Sequence, residues 1–377
     1  MTEETALSFE ENETPTQTTS KITPKKTKKN SGEHLSYDGQ IGALYKLFIL
    51  DFFMRIITLG IYSFWGKTRL RKYIASCYSL GEDRFEYTGT GGELFKGFLK
   101  VLPIIVILFA PVAFAEFYPI LALFYIPIIY CFGIAIYGAA RYRYSRTRWR
   151  GIRGYVGGST IGYANLSFGR LFLNIITLGF AIPSSDIKKH KYIMDNTYFG
   201  SVNAEFNGNS RVLMGAHIKS LIFLVLPGIF FAIPMIMVAM IETMDPNALT
   251  ISPGLIAATS YILAIFSTVI GIPIGRSIYG SALMREKMRG LQIGSLKFMC
   301  TITTMDLIKH KLMNGLILII TLGFGYPMIV NRNMKLMARH HIIMGDLEAF
   351  EATQAKDQEI TSGEGLEGAL DLDTGFI

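Results

Sequence analysis

Residues 51–73 read DFFMRIITLGIYSFWGKTRLRKY, and the string IITLG inside them decides how the rest of the chain is read. It occurs at Ile56–Gly60, Ile175–Gly179 and Ile319–Gly323. Each copy runs into an aromatic or proline turn, IYSFW, FAIPS or FGYPM, and then into a basic run, KTRLRKYIASCYSLG, DIKKHKYIMDNTYFG or NRNMKLMARHHIIMG. Short alternating pieces flank them: LSYDG, RGYVGGS and LQIGS upstream, DRFEYTG, VNAEFNG and DLEAFEA downstream. Identity at five positions in three places, with agreeing flanks, marks an internal repeat. Units are expected at about 34–98, 150–217 and 290–350. Each reads as an apolar helix stopped at a hinge glycine (Gly60, Gly179, Gly323), followed by a basic helix returning along a membrane face. The threonine before each hinge is placed to bond a carbonyl of the preceding turn. TLG serves either as a plain helix stop or as a broken-helix element lining a binding site, as in transporters built from repeats.

The composition agrees with a membrane setting. Of 377 residues, 50% are hydrophobic and only 18% charged, below the quarter or so usual in soluble domains. Four segments are long and apolar enough to span: Val101–Tyr118 and Ile120–Ala140 as one hairpin, Leu221–Ile241 and Gly254–Gly275 as another. The IITLG stretches are weaker candidates. The first carries Lys46, Asp51 and Arg55, and at roughly 3 kcal/mol per central charge these cancel most of what its aliphatic residues contribute at about 0.5 kcal/mol each. The fold class expected is an all-α polytopic membrane protein, with four clear transmembrane helices in two hairpins. Three related IITLG helices dip into or span the membrane, and short β segments lie in the cytoplasm. Polar tails at 1–33 and 351–377 are expected to be disordered around a membrane domain at 34–350.

Lys and Arg outnumber Asp and Glu by 37 to 29, a net charge of +8. The basic clusters KKTKK (25–29), KTRLRK (67–72), RYRYSRTRWR (141–150), KKHK (188–191), REKMR (285–289) and NRNMK (331–335) all fall on one face if the four clear segments cross and the IITLG stretches do not. The opposite loops then keep only Glu116, Glu242 and Asp245, which places both termini in the cytoplasm. Seven crossings are the alternative. The partner expected is a phospholipid membrane with anionic head groups, contacted by Arg69, Arg71, Lys72, Lys188, Lys191, Arg332 and Lys335. Nucleic acid is not expected, because the basic runs adjoin apolar helices, and self-association into a homo-oligomer is left open.

The first unit resembles the YjgN family of bacterial inner-membrane proteins, classed under a domain of unknown function. The resemblance rests on Thr58, Leu59, Gly60, Tyr62, Trp65, Arg69 and Tyr73, then on Arg84, Phe85, Tyr87, Gly89, Gly91 and Gly92 in an R-F-x-Y-x-G-x-G-G pattern. Phe64 departs from it where the family carries proline; the other two units keep Pro183 and Pro327 but lose the tryptophan. The resemblance implies a multi-helix fold in the bacterial inner membrane and supplies no catalytic residue or substrate.

The residues themselves offer no HExxH, P-loop or GxSxG pattern. No catalytic residue, cofactor or metal is therefore expected, and Cys77, Cys131 and Cys300 read as buried hydrophobes. Intramembrane polarity is more informative. Counting back nine residues from each hinge glycine gives Asp51, Arg170 and Asn314, with Arg55 one turn after Asp51. These four form either a polar cluster on a permeation route or a structural device holding the units together. The functional expectation is a non-enzymatic multi-pass inner-membrane protein, a transporter or channel for a small solute. The alternative is a non-catalytic membrane-organising or lipid-interacting protein.

Overall fold

A computed structural model describes residues 32–114, 116–244, 252–347 and 350; the tails expected over 1–33 and 351–377, with the 25–29 cluster, lie outside the described residues except for the start of the first strand. The chain repeats one unit, strand, helix, helix, strand. β1 (Glu33–Tyr37) feeds α1 (Ile41–Ile57) and α2 (Ser63–Cys77), which returns as β2 (Tyr78–Leu80). β3 (Asp83–Tyr87) feeds α3 (Gly91–Phe109) and α4 (Tyr125–Arg146), returning as β4 (Thr147–Trp149). β5 (Ile152–Val156), α5 (Thr160–Ile176), α6 (Ile182–Met194) and β6 (Thr197–Phe199) make the next unit. They are followed by β7 (Val202–Phe206), α7 (Arg211–Met244), α8 (Pro253–Arg289) and β8 (Leu291–Ile293). The last unit is β9 (Leu296–Cys300), α9 (Thr304–Ile320), α10 (Tyr326–His340) and β10 (His341–Met344). The IITLG units are thus the first, third and fifth members of a series in which the long helical pairs are the second and fourth.

The strands form a closed ring, each antiparallel to its chain neighbours, with β1 completing it against β10 through Glu33↔Ile343 and His34↔Ile342. Two-residue turns join the strands between units. Arg150 (φ +52°) and Gly151 (φ +75°) both adopt the left-handed conformation that a type I′ hairpin turn requires. Because tight turns occupy one edge, all five helical pairs leave from the other. Side chains from β1, β2, β3, β4, β6, β9 and β10 meet in one apolar cluster inside the ring, built on Leu80, Trp149, Leu296 and Ile343. Phe85, Trp149 and Phe199 form an aromatic row with centroids 6.4 and 6.0 Å apart. Leu347 and Phe350, which follow β10, join that cluster at the turn edge, where Arg150 Nη1 donates to the Leu347 carbonyl at 2.7 Å.

At the helix edge, an aromatic residue at or next to the end of the outgoing strand folds its ring over a glycine two residues on: Tyr37 over Gly39, Tyr87 over Gly89, Tyr155 over Gly157, Phe206 over Gly208. A Cβ at Gly39 or Gly208 would overlap the ring. The fifth unit replaces the pair with Cys300 and Ile302, both buried.

The structure corrects the expected fold class in two respects. The β segments close into a ten-strand ring instead of lying as incidental cytoplasmic pieces, because each strand, only three to five residues long, pairs on both sides with partners that hydropathy cannot reveal. Among the described residues, three helices, not four, are long and apolar enough to cross a membrane: Gly91–Phe114, Arg211–Ile241 and Gly254–Arg289. The expected span at Ile120–Ala140 is broken. Pro119–Phe124 forms a 3-10 turn, and the helix beginning at Tyr125 runs into Arg141, Arg143 and Arg146. Its Ala135, Tyr137, Ala139 and Tyr142 are buried against protein. In the fourth unit the Gly271 and Gly275 spacing is used inside the chain: α8 packs so closely on α7 that a Cβ at Gly275 would lie 2.9 Å from the Ser220 carbonyl oxygen.

Trp149→Ala should remove about 3–5 kcal/mol by opening a cavity in the ring. Thermal unfolding in detergent checks this, with Ile57→Ala, at a 73% exposed position, as the near-neutral control.

Candidate functional site

The IITLG breaks are built identically. In the first, Gly60 N donates to Arg55 O (2.7 Å) and Leu59 N to Ile56 O (3.3 Å), the paired bonds of a Schellman helix end. Thr58 Oγ1 donates to Met54 O at 2.6 Å and accepts from Tyr62 N at 3.0 Å, so one hydroxyl closes α1 and starts α2. Thr177 and Thr321 repeat both bonds, to Leu173 and Ala181 and to Ile317 and Gly325. The sequence reading assigned the left-handed cap position to the glycine. The leucine occupies it instead: Leu59, Leu178 and Leu322 have φ of +49°, +50° and +48°, and each hinge glycine follows at about +90°. A side-chain-bearing residue there costs roughly 1–2 kcal/mol, and the leucine side chains themselves return almost no packing against the described residues. The three leucines are 93%, 84% and 87% exposed, at the tips of the shorter helical pairs.

Apart from the Asp51–Arg55 ion pair within α1, the four polar positions do not meet one another; each stays within its own helical pair. Asp51 bonds Arg55 at 2.6 Å and packs its carboxylate against Gly66 of α2, where a Cβ would collide with it. Arg170 reaches Ser184 of α6 at 3.5 Å. Asn314 donates to Asn333 at 2.9 Å and accepts from Arg332 Nε at 3.0 Å, both on α10. Of the proposed head-group contacts, Arg69, Lys72, Lys188 and Lys335 are exposed on the returning helices. Lys191 is also exposed but bonded, to Asp195 at 2.9 Å and to the Phe206 carbonyl at 2.7 Å. Arg71 and Arg332 are half-buried.

Sequence reasoning missed a cavity of about 400 Å³ between α4, α5, α6 and α8. Its floor is polar: Asp186, Lys189 and His190 from α6, and Lys287 from α8. Asp186 accepts from the Tyr279 hydroxyl at 2.8 Å and pairs with Lys189 at 3.6 Å. The buried Nε2 of His190 has no hydrogen-bond partner. Burial, aided by the Lys287 charge, pushes the His190 imidazole down to about 3. Phe132, Ile136, Phe168 and Leu171 make the wall, and Gly133 lets α4 lie against Ala164 of α5 beside it. The partial sequence signal was the KKHK run, which read as surface charge because its partner Lys287 is nearly a hundred residues away.

With this geometry in place, comparisons add a family. The model of a family described as a bacterial protein of unknown function, DUF898, matches residues 33–370. A relative, the inner membrane protein YjgN of Salmonella typhimurium, is 33% identical over 81 residues, covering 22% of this chain and 20% of that protein. The match thus spans about a fifth of the relative's length. No solved structure matches.

His190 gives a pH signature. Its folded value lies below the unfolded 6.5, so between those values the unfolded chain binds the extra proton and stability falls as pH drops. The charged groups facing it are Lys287, Lys189 and Asp186. The Tm of wild type should therefore fall more between pH 7 and pH 5 than that of His190→Phe. Equal falls would show that His190 is not held neutral.

Proposed function

The chain belongs to the DUF898 family of bacterial proteins of unknown function, the YjgN-like membrane proteins, and within it we propose a non-catalytic protein that interacts with lipid. The observation that carries this reading is the threefold tip. A leucine held in left-handed backbone and exposed to water gains nothing; seated among acyl chains it gains about 1.5–3 kcal/mol, enough to exceed the backbone cost. Flanking residues point the same way, since Ile56, Ile57, Ile175, Ile176, Ile319 and Ile320 are all exposed beside the tips.

Charge supports the same orientation. The helices that return to the ring carry the basic clusters: Lys72 and Lys335 lie five residues from the ring ends of α2 and α10, Lys188 lies midway along α6, and Arg69 lies over the Tyr62 ring toward the tip of α2. Each such cation near an anionic leaflet contributes about 1 kcal/mol. The start of β1 and the end of β10 lie on the turn edge, beyond those clusters, which agrees with a cytoplasmic ring under the positive-inside rule. The inner-membrane relative and the three apolar helices support location in the bacterial inner membrane, with several crossings. The transporter or channel reading has less behind it: Asp51, Arg170 and Asn314 bond within their own helical pairs, and the ring interior is packed with Trp149, Phe85 and Leu296.

Bimane placed at Leu59→Cys, Leu178→Cys or Leu322→Cys, in a background without Cys77, Cys131 and Cys300, should be quenched by acyl-chain nitroxides in reconstituted vesicles and spared by aqueous iodide. Strong iodide quenching with no nitroxide effect at all three tips would refute the reading.

A further inference from the structure

The cavity between α4, α5, α6 and α8 has a charged end and an apolar end, and their order along the helices is informative. Lys287 is two residues from the ring end of α8, and Lys189 and His190 are five and four residues from the ring end of α6. At 1.5 Å per residue these three sit within about 8 Å of those ends, and Asp186, eight residues from the ring end of α6, sits at about 12 Å. Phe132 and Ile136 lie fourteen and ten residues up α4 from its ring end, and Phe168 and Leu171 eight and eleven residues along α5 from its start. The mainly apolar wall, interrupted on α5 by Ser167 and Asn174, therefore begins about 12 Å from the ring and continues to about 21 Å. The sequence of polar floor and apolar wall is that of a lipid whose head lies toward the ring.

The charges define the head. Asp186 is engaged by Lys189 and Tyr279, while Lys287 makes no ion pair among the described residues. Two lysines against one aspartate, beside a histidine that is neutral at pH 7, leave one positive charge uncompensated. An uncompensated ammonium in a half-enclosed site is costly unless an anion joins it. His190 Nε2, buried and unbonded, is a second group waiting for a partner, and a neutral imidazole nitrogen can donate to or accept from one.

We propose that this cavity binds one singly charged phosphodiester amphiphile, an anionic membrane phospholipid, with its phosphate between Lys287, Lys189 and His190 and an acyl chain along Phe132, Ile136, Phe168 and Leu171. The proposal deepens the lipid-contact reading, but it rests on other residues than the tips. A failure at Lys287 therefore leaves the quenching result standing, and a failure at the tips leaves the cavity intact.

The test uses the full chain, delipidated in detergent. Wild type, Lys287→Gln and Ile136→Trp are titrated with dioleoyl phosphatidylglycerol, dioleoyl phosphatidylcholine and inorganic phosphate, following the rise in Tm and the lipid retained in native mass spectra. The expected result is one phosphatidylglycerol retained by wild type, with binding weaker by roughly tenfold or more in Lys287→Gln, the size of one lost charge-assisted contact. Ile136→Trp should lose the lipid because the indole fills the channel for the chain. Phosphatidylcholine should bind weakly and inorganic phosphate should leave Tm unchanged. Equal binding of phosphatidylglycerol by wild type and both variants would overturn the site. Equal binding of the two lipids would overturn the anionic head group, and stabilisation by inorganic phosphate alone would overturn the amphiphile.

Discussion

Closure of the strand ring is the constraint on which everything else depends. Strands of three to five residues are too short to stand as isolated hairpins, yet here every strand has a hydrogen-bonded neighbour on each side, down to the two residue pairs that join β1 to β10. The ring buries one apolar cluster inside itself and fixes the starting points of five helical pairs on one edge. Since adjacent pairs leave from adjacent strands, the fold needs no long connection, and returning helices bring their cations to the same level. The charge asymmetry is thus a consequence of topology as well as of sequence.

Above the ring the two kinds of helical pair are built differently. The fourth unit uses length: α7 and α8 run 34 and 37 residues and interlock where Gly271 and Gly275 meet the α7 backbone. The IITLG units use a compact end, in which one threonine hydroxyl serves both helices and a leucine is held at positive φ to face outward. That conformation is repeated three times with the leucine side chain left almost fully exposed, a pattern associated with sites whose partner lies outside the chain. Within these pairs the polar residue nine positions before the hinge glycine meets the returning arm, Arg170 and Asn314 through hydrogen bonds and Asp51, paired with Arg55 on α1, by packing against Gly66.

Much of this was legible in the residues, and what was not has a physical explanation. The hinge positions, the helices on either side and the basic character of the returning arms follow from IITLG and its flanks, because those signals are local. Which residue takes the left-handed conformation was misread, since glycine is the usual occupant and leucine is not. The ring escaped because Trp149 meets Phe85 and Phe199 only after two helical pairs have folded back. The recurring aromatic-x-glycine at Tyr37, Tyr87, Tyr155 and Phe206 was its sequence trace, and it marks four of the five units, including the two that the IITLG string leaves out. The span at Ile120–Ala140 was overcounted because hydropathy does not distinguish tyrosines and alanines facing lipid from those facing protein, and α4 turns Ala135, Tyr137 and Ala139 inward. The cavity combines α6 with α8, and no window along the chain contains both.

Ring closure is open to a direct measurement. In a chain lacking its native cysteines, the pair His34→Cys and Ile342→Cys places thiols on directly opposed residues of β1 and β10, and Met299→Cys with Ile342→Cys does the same for β9 and β10. Under mild oxidation in membranes both pairs should form intramolecular disulfides, the first linking the two ends of the domain and altering electrophoretic mobility. Efficient linking of 299 to 342 with none between 34 and 342 would contradict the closed ring.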